Sequence, residues 1–216
     1  MKSKFLFALS LTALQTTLLS CGLISVNVPG GESTTGNGET TAENTETTSG
    51  SASSGDLTAD WVDFQTENNK LSVKFPGTPQ TESQTTPSDL GDLKFTMTSY
   101  TDEANTQFFM VSSVTYPVDP AQYDAAQGLE AAKQGAASNS GSTILSDEAS
   151  DRFGIPGKKL VMNATQDNGE VYTTRAEIYI DPKGPTLHQI LIVTEGDRVN
   201  SPEANAFFDS VNITPI

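Results

Sequence analysis

Few residues in this chain offer strong chemistry. Among 216 residues there is one histidine, His188, and one cysteine, Cys21. A histidine can act as a general base or bind a metal through a ring nitrogen. As a base it needs a nucleophile and an orienting group beside it. No Gly-x-Ser-x-Gly turn is present, and His188 lies in the strongly apolar run "PTLHQILIV", which predicts a ring packed at a strand end. Carboxylates gather at turns: Asp102 and Glu103; Asp147, Glu148 and Asp151; Asp167 and Glu170; Glu195 and Asp197. Hard cations need several oxygen ligands, and paired acids can cleave glycosides. None of these stretches matches the EF-hand loop, and any acidic protein supplies acid pairs, so solvated turns are expected. Arg175 and Glu177 share a strand face with Val171 and Tyr179, which predicts a polar face open to water or to a docking partner. No phosphate loop or dinucleotide fingerprint occurs. The residues therefore assign no catalytic group, no metal site and no cofactor.

The single thiol excludes an internal disulfide and every zinc site built on cysteine pairs. Its position is more informative than its number. "MKSKFLFALSLTALQTTLLSC" opens with Lys2 and Lys4, followed by an apolar run from Phe5 to Leu19 that Ser10, Thr12, Gln15, Thr16 and Thr17 interrupt. A membrane-spanning helix needs about 20 mostly apolar residues. This run is shorter and more polar, as in a secretory signal peptide. Its end, Leu18-Leu19-Ser20-Cys21, resembles the lipobox of bacterial lipoproteins. The resemblance implies a diacylglycerol thioether on Cys21, cleavage after Ser20 and acylation of the new amino terminus. Each buried methylene contributes about 0.8 kcal/mol; one chain holds only marginally, whereas two or more hold stably.

Residues 1–20 thus read as a lipoprotein signal peptide and residues 21–58 as a lipid-anchored, disordered linker rich in Ser, Thr, Gly and Glu. After Val28 the linker has almost nothing apolar, no aromatic residue and no Lys or Arg, so burial cannot offset its ordering entropy. As a flexible coil, Gly22 to Thr58 would span roughly 30 to 37 Å. It would let a domain stand off a lipid surface.

Residues 59–216 hold Trp61 and all five tyrosines, and a chain of this size can bury one sizeable core. The whole chain carries a formal charge of -15; without the two leader lysines and the five linker acids, the domain carries about -12. Such a balance repels phosphate backbones and anionic lipid alike. Nucleic acid is excluded as a partner, and membrane contact must come through the lipid on Cys21.

Strand patterns dominate the domain. "LKFTMTSY" alternates Leu93, Phe95 and Met97 with polar residues, "FFMVSSVTY" is apolar on both faces and reads as a central strand, and "KKLVMNAT", "VYTTRAEIYI" and "LHQILIV" follow. "QDNG" and "DPKGP" are hairpin and turn signals. "WVDFQ" and "KLSVKFPGTP" open the domain as a further short pair. Short connections imply antiparallel pairing. Two helices are expected. The first is capped by Asp119, with Pro120 at its first position and a stripe of Ala125, Leu129, Ala132 and Ala136 ending at Gly141. The second is capped by Ser201, with Pro202 next and Ala204, Phe207, Phe208 and Val211 facing a core. The class is α+β, a central antiparallel sheet flanked by helices.

"LSVKFPGTP", "FGIPGKKLV", "RAEIYI", "LHQILIV" and "ANAFFDSVNITP", in that order over residues 61–215, resemble bacterial envelope proteins of the PsbP-like fold. The resemblance implies that same architecture and an accessory character, since PsbP-like proteins of plants and cyanobacteria are non-catalytic partners of photosystem II. Its motifs specify packing, and no photosystem-binding residue can be matched in this chain. The expectation is a lipid-anchored envelope protein that binds a protein partner or assists an assembly without catalysis. The alternatives are an envelope hydrolase built from His188 and scattered acids, or a small-ligand carrier with a pocket between sheet and helix.

Overall fold

The computed structural model describes residues 57–67, 70–88 and 91–216. The expected signal peptide, the lipidation site Cys21 and the linker up to residue 56 lie outside the described residues. The described chain opens with two short strands, β1 (Val62–Gln65) and β2 (Leu71–Phe75), followed by β3 (Gln80–Ser88), β4 (Gly91–Asp102) and β5 (Gln107–Thr115). Helix α1 (Ala125–Ser140) precedes β6 (Thr143–Ser150), β7 (Gly157–Thr165), β8 (Val171–Asp181) and β9 (Thr186–Glu195). Helix α2 (Pro202–Ser210) and β10 (Asn212–Ile213) close the chain.

Seven strands form one antiparallel sheet in the order β3-β4-β5-β9-β8-β7-β6. The apolar strand Gln107–Thr115 lies well inside it, paired with both β4 and β9. The opening pair β1 and β2 stands apart as a small sheet with β10. The α+β class is as expected; the division into two sheets is new.

Alternation distributes the core over two layers. Even residues of β5 and β8, such as Phe108, Met110, Ala176, Ile178 and Ile180, pack against Leu129 and Ala132 of α1. Odd residues, such as Phe109, Val111 and Tyr179, pack beneath the small sheet and α2, against Phe75, Phe207 and Phe208. Each such ring or branched side chain contributes about 1.5–3 kcal/mol when fully buried. Phe207 touches Phe75 and Phe109 at centroid separations of 5.5 and 5.2 Å, a favourable range for tilted and edge-on rings.

The second helix begins as expected, with the Ser201 hydroxyl accepting from the Ala204 amide and Pro202 at the first turn. The first departs from expectation. Asp119 caps only a 3-10 turn, Pro120–Gln122. The α-helix starts after Asp124, whose carboxylate accepts from the Ala126 and Gln127 amides. It ends at Gly141 in the left-handed region, a usual helix terminator. Gly128, costly for helix propensity, is buried, and a Cβ there would fall 2.9 Å from the Ile180 Cδ1. Its missing side chain lets helix and sheet approach closely.

Candidate functional site

The strand register brings residues far apart in sequence into one polar row. Ser83 faces Thr96, Thr96 faces Ser113, Ser113 faces His188 and His188 faces Tyr179. Tyr179 then faces Gly157, and Gly157 faces Ser150. The row crosses all seven strands on the face that carries α2.

Along it, Ser83 and Thr96 hydroxyls lie 3.3 Å apart, and Ser113 Oγ lies 2.9 Å from His188 Nδ1. The Tyr179 hydroxyl donates to Glu177 Oε2 at 2.6 Å and lies 3.2 Å from Ser150 Oγ. At Gly157 a Cβ would sit 2.7 Å from the Ile178 carbonyl and run into the Tyr179 ring. The glycine is what allows that ring to lie across β7 and reach Ser150.

Glu177 is the most buried acid of this face, 2% exposed. It is flanked by Arg152 at 3.5 Å and Arg175 at 3.7 Å. Both arginines also hold α2. Arg152 donates to the Phe208 and Val211 carbonyls at the helix end. Arg175 donates to Asn205 Oδ1 and stacks over the Phe208 ring at 4.1 Å. The short loop between β6 and β7 that carries Arg152 places Phe153 at φ 68°, a conformation rare for a bulky residue. Phe153 packs edge-on against Tyr179 at 5.2 Å, with Arg152 over its ring. The expected open face of Arg175, Glu177 and Tyr179 is therefore corrected: its centre is sealed beneath α2, because the odd positions of β8 face the second core layer. Burial and the neighbouring Glu177 carboxylate together push the Tyr179 phenol well above its usual range.

His188 is 4% exposed, as its apolar strand predicts. Burial lowers its pKa to about 4, with Asp181 opposing the shift. Asp181 does not form a relay through the ring. One of its oxygens accepts from the Lys183 amide and the other from the Ile216 amide, while His188 uses Nδ1 toward Ser113. A base with a pKa near 4 is poorly matched to proton transfer at neutral pH.

The acidic turns are brought together only loosely. Asp102, Glu103, Asp167, Glu170, Glu195 and Asp197 lie at one end of the sheet, where Asp102 faces Gln107, Gln107 faces Thr194 and Thr194 faces Thr173. Asp102 builds its own turn, accepting from the Ala104 and Asn105 amides. Asp147 lies away from this end, on β6, where it pairs with Lys133 and Lys158 on the α1 face. The Lys133 ammonium holds the carboxyls of Asp147 and Glu130 below their usual range and is itself raised by them. Among the described residues, no group of three or more His, Cys, Asp or Glu is placed to hold a metal ion. Beside α1 an open groove of about 840 Å³ is lined by Leu129, Ala149, Pro156 and Lys158, the place a small-ligand carrier would need. No helix of the described residues is long and apolar enough to cross a membrane.

No family model and no curated protein matches the chain. Similar solved structures include LpqN of Mycobacterium tuberculosis, described as involved in cell envelope biogenesis. It is 17% identical with a TM-score of 0.42, and the match covers 74% of this chain and 96% of that one. The cyanobacterial PsbP of Synechocystis sp. PCC 6803 is 12% identical with a TM-score of 0.45, covering 71% and 92%. A Pseudomonas aeruginosa protein of unknown function is 10% identical with a TM-score of 0.33, covering 67% and 90%. The PsbP-like proteins named from the sequence motifs are thus represented among the structures this chain is similar to.

Proposed function

We propose that this is a lipid-anchored cell-envelope protein whose domain binds another macromolecule, or supports an assembly, without catalysing a reaction. The observation that carries the reading is Leu18-Leu19-Ser20-Cys21 at the end of a short, positively started apolar leader. A diacylated sulfur with an acylated amino terminus gives the several chains that stable anchoring requires, and the acid-rich linker keeps the domain clear of the lipid. The domain adds support of a different kind. Its buried Glu177 and Tyr179 and half-buried Arg152 and Arg175 are spent on one another and on α2.

The hydrolytic alternative has one observation in its favour, the 2.9 Å contact between Ser113 and His188. Replacing His188 with Gln while keeping the fold, and finding an envelope hydrolase activity abolished, would establish it. The anchoring itself is tested by intact mass and fractionation of the natural protein. The expected result is a chain beginning at Cys21, heavier by its acyl groups and found in the membrane fraction, with Cys21→Ser released to the soluble fraction. An unmodified Cys21 in a soluble protein refutes the reading.

A further inference from the structure

The seven-stranded sheet is open, and its two edges differ. The β6 edge is broken by a bulge between Ile144 and Ser146 and carries Asp147 and Glu148. Bulges and charges are the devices that keep a sheet edge from pairing. The β3 edge has no bulge. It pairs with β4 in unbroken register from Gln80 to Ser88, and among the described residues no strand pairs with its outer side. Its sequence, QTESQTTPS, is exposed over most of its length, holds a single charge, Glu82, and meets a proline only at Pro87. In a domain of about -12, this strip is nearly neutral, so it is where two like-charged copies approach with least repulsion.

We infer that β3 pairs with β3 of a second copy of this chain, antiparallel about a two-fold axis at Ser83 or Gln84, joining two sheets edge to edge. An edge offers backbone amides and carbonyls, and so takes an extended strand; antiparallel pairing about a two-fold is self-complementary, so one patch serves both partners. About Ser83, Thr81 then faces Thr85 and Glu82 faces Gln84; about Gln84, Ser83 faces Thr85 and Glu82 faces Thr86, so in neither register does Glu82 face a second charge. A single strand pair buries less than the roughly 1,000 Å² of a stable interface, so pairing is weak between free molecules. Confinement to one membrane raises the effective concentration, an effect that rests on the anchored reading.

The test is site-directed cysteine cross-linking of the full chain in membranes of a bacterium that processes lipoproteins. Thr81→Cys, Ser83→Cys, Gln84→Cys and Thr85→Cys are compared with Ser146→Cys on the β6 edge. The expected result is a dimer several-fold above the Ser146→Cys level at one of positions 83 and 84. For a centre at 83, a mixture of Thr81→Cys and Thr85→Cys cross-links where neither does alone. A lysine on the axis itself, Ser83→Lys for a centre at 83 or Gln84→Lys for a centre at 84, sets like charges across it and loses the dimer. Equal yields on both edges, no dependence on position, or persistence in the axial lysine variant overturns the proposal. Failure of anchoring reads out separately: the parent chain is found in the soluble fraction, and the same positions are then compared in a Cys21→Ser background with purified protein at high concentration, where the pattern on β3 decides the pairing.

Discussion

Burial of His188 has a consequence that can be worked through to a number. The folded ring is held near pKa 4, against an ordinary 6.5 in the unfolded chain. Between those two pH values the unfolded chain binds a proton that the folded chain does not, so stability rises with pH. The contribution is complete above about pH 6.5, is lost progressively as pH falls to about 4, and changes no further below that. At about 1.4 kcal/mol for each tenfold, the displacement amounts to on the order of 3 kcal/mol, a large share of the total stability of an ordinary domain.

Urea unfolding of the wild-type chain and of His188→Gln isolates the effect. The amide keeps a partner for Ser113 but does not titrate, so any constant cost of the substitution is the same at every pH. Trp61, which packs edge-on to Phe109 at 6.5 Å, supplies a fluorescence signal and circular dichroism a second. The wild-type minus variant difference should fall by about 1.4 kcal/mol for each pH unit between 6.5 and 4, then level off. The lowered carboxyls of Glu130 and Asp147 are common to both proteins and cancel. A flat difference refutes the reasoning. A difference that grows as pH falls would mean that His188 is charged in the fold, with Asp181 stabilising it.

Three further outcomes follow from the same row and from the leader. Gly157→Ala drives a methyl into the Tyr179 ring and should destabilise by about 1–3 kcal/mol in urea titrations, without changing the unfolded baseline. Glu177→Ala leaves two arginines and a phenol facing a void and should cost about 2–3 kcal/mol, below the usual range because both arginines keep some solvent; replacing Glu177, Arg152 and Arg175 together by apolar residues should recover most of that loss. Cys21→Ser should move the protein from membrane to soluble fraction with no change in the domain's melting temperature.

How much of this was legible in the sequence depends on where each signal is stored. Leu93, Phe95 and Met97 alternate because β4 has one face on the core, and Phe108 to Val111 are apolar on both parities because β5 is covered twice. Strand β3 was not legible. QTESQTTPS has no apolar residue because an exposed edge strand buries nothing, so the two-residue period that marks a strand never appears. Strand β6 hides for the same reason, with Leu145 displaced outward at its bulge, 58% exposed. The start of α1 was misplaced by five residues because Asp119 and Asp124 are both capping residues with turn-forming neighbours, and only the three-dimensional path shows that the first caps a 3-10 turn. The polar row needs pairings such as Ser113 with His188, 75 residues apart, which no local pattern contains.

That row also explains why so much polarity is tolerated beneath α2. A one-residue slip of a strand would turn its side chains to the opposite face. For β8 a slip would press Glu177 and Arg175 into the apolar layer under α1, far from the arginine and backbone partners that now neutralise them. For β9 it would exchange His188 for Leu187 beside Ser113 and leave both hydroxyl and ring unpaired. Leucine and isoleucine alone, alternating on both faces of β9, would distinguish the two registers poorly, because both layers are apolar. Polar residues at one row, satisfied by each other and by the end of one helix, favour the native register over its one-residue slips, which would leave those groups buried and unpaired. On this argument the histidine, the buried glutamate and the strained loop at Phe153 belong to how the domain specifies its own register.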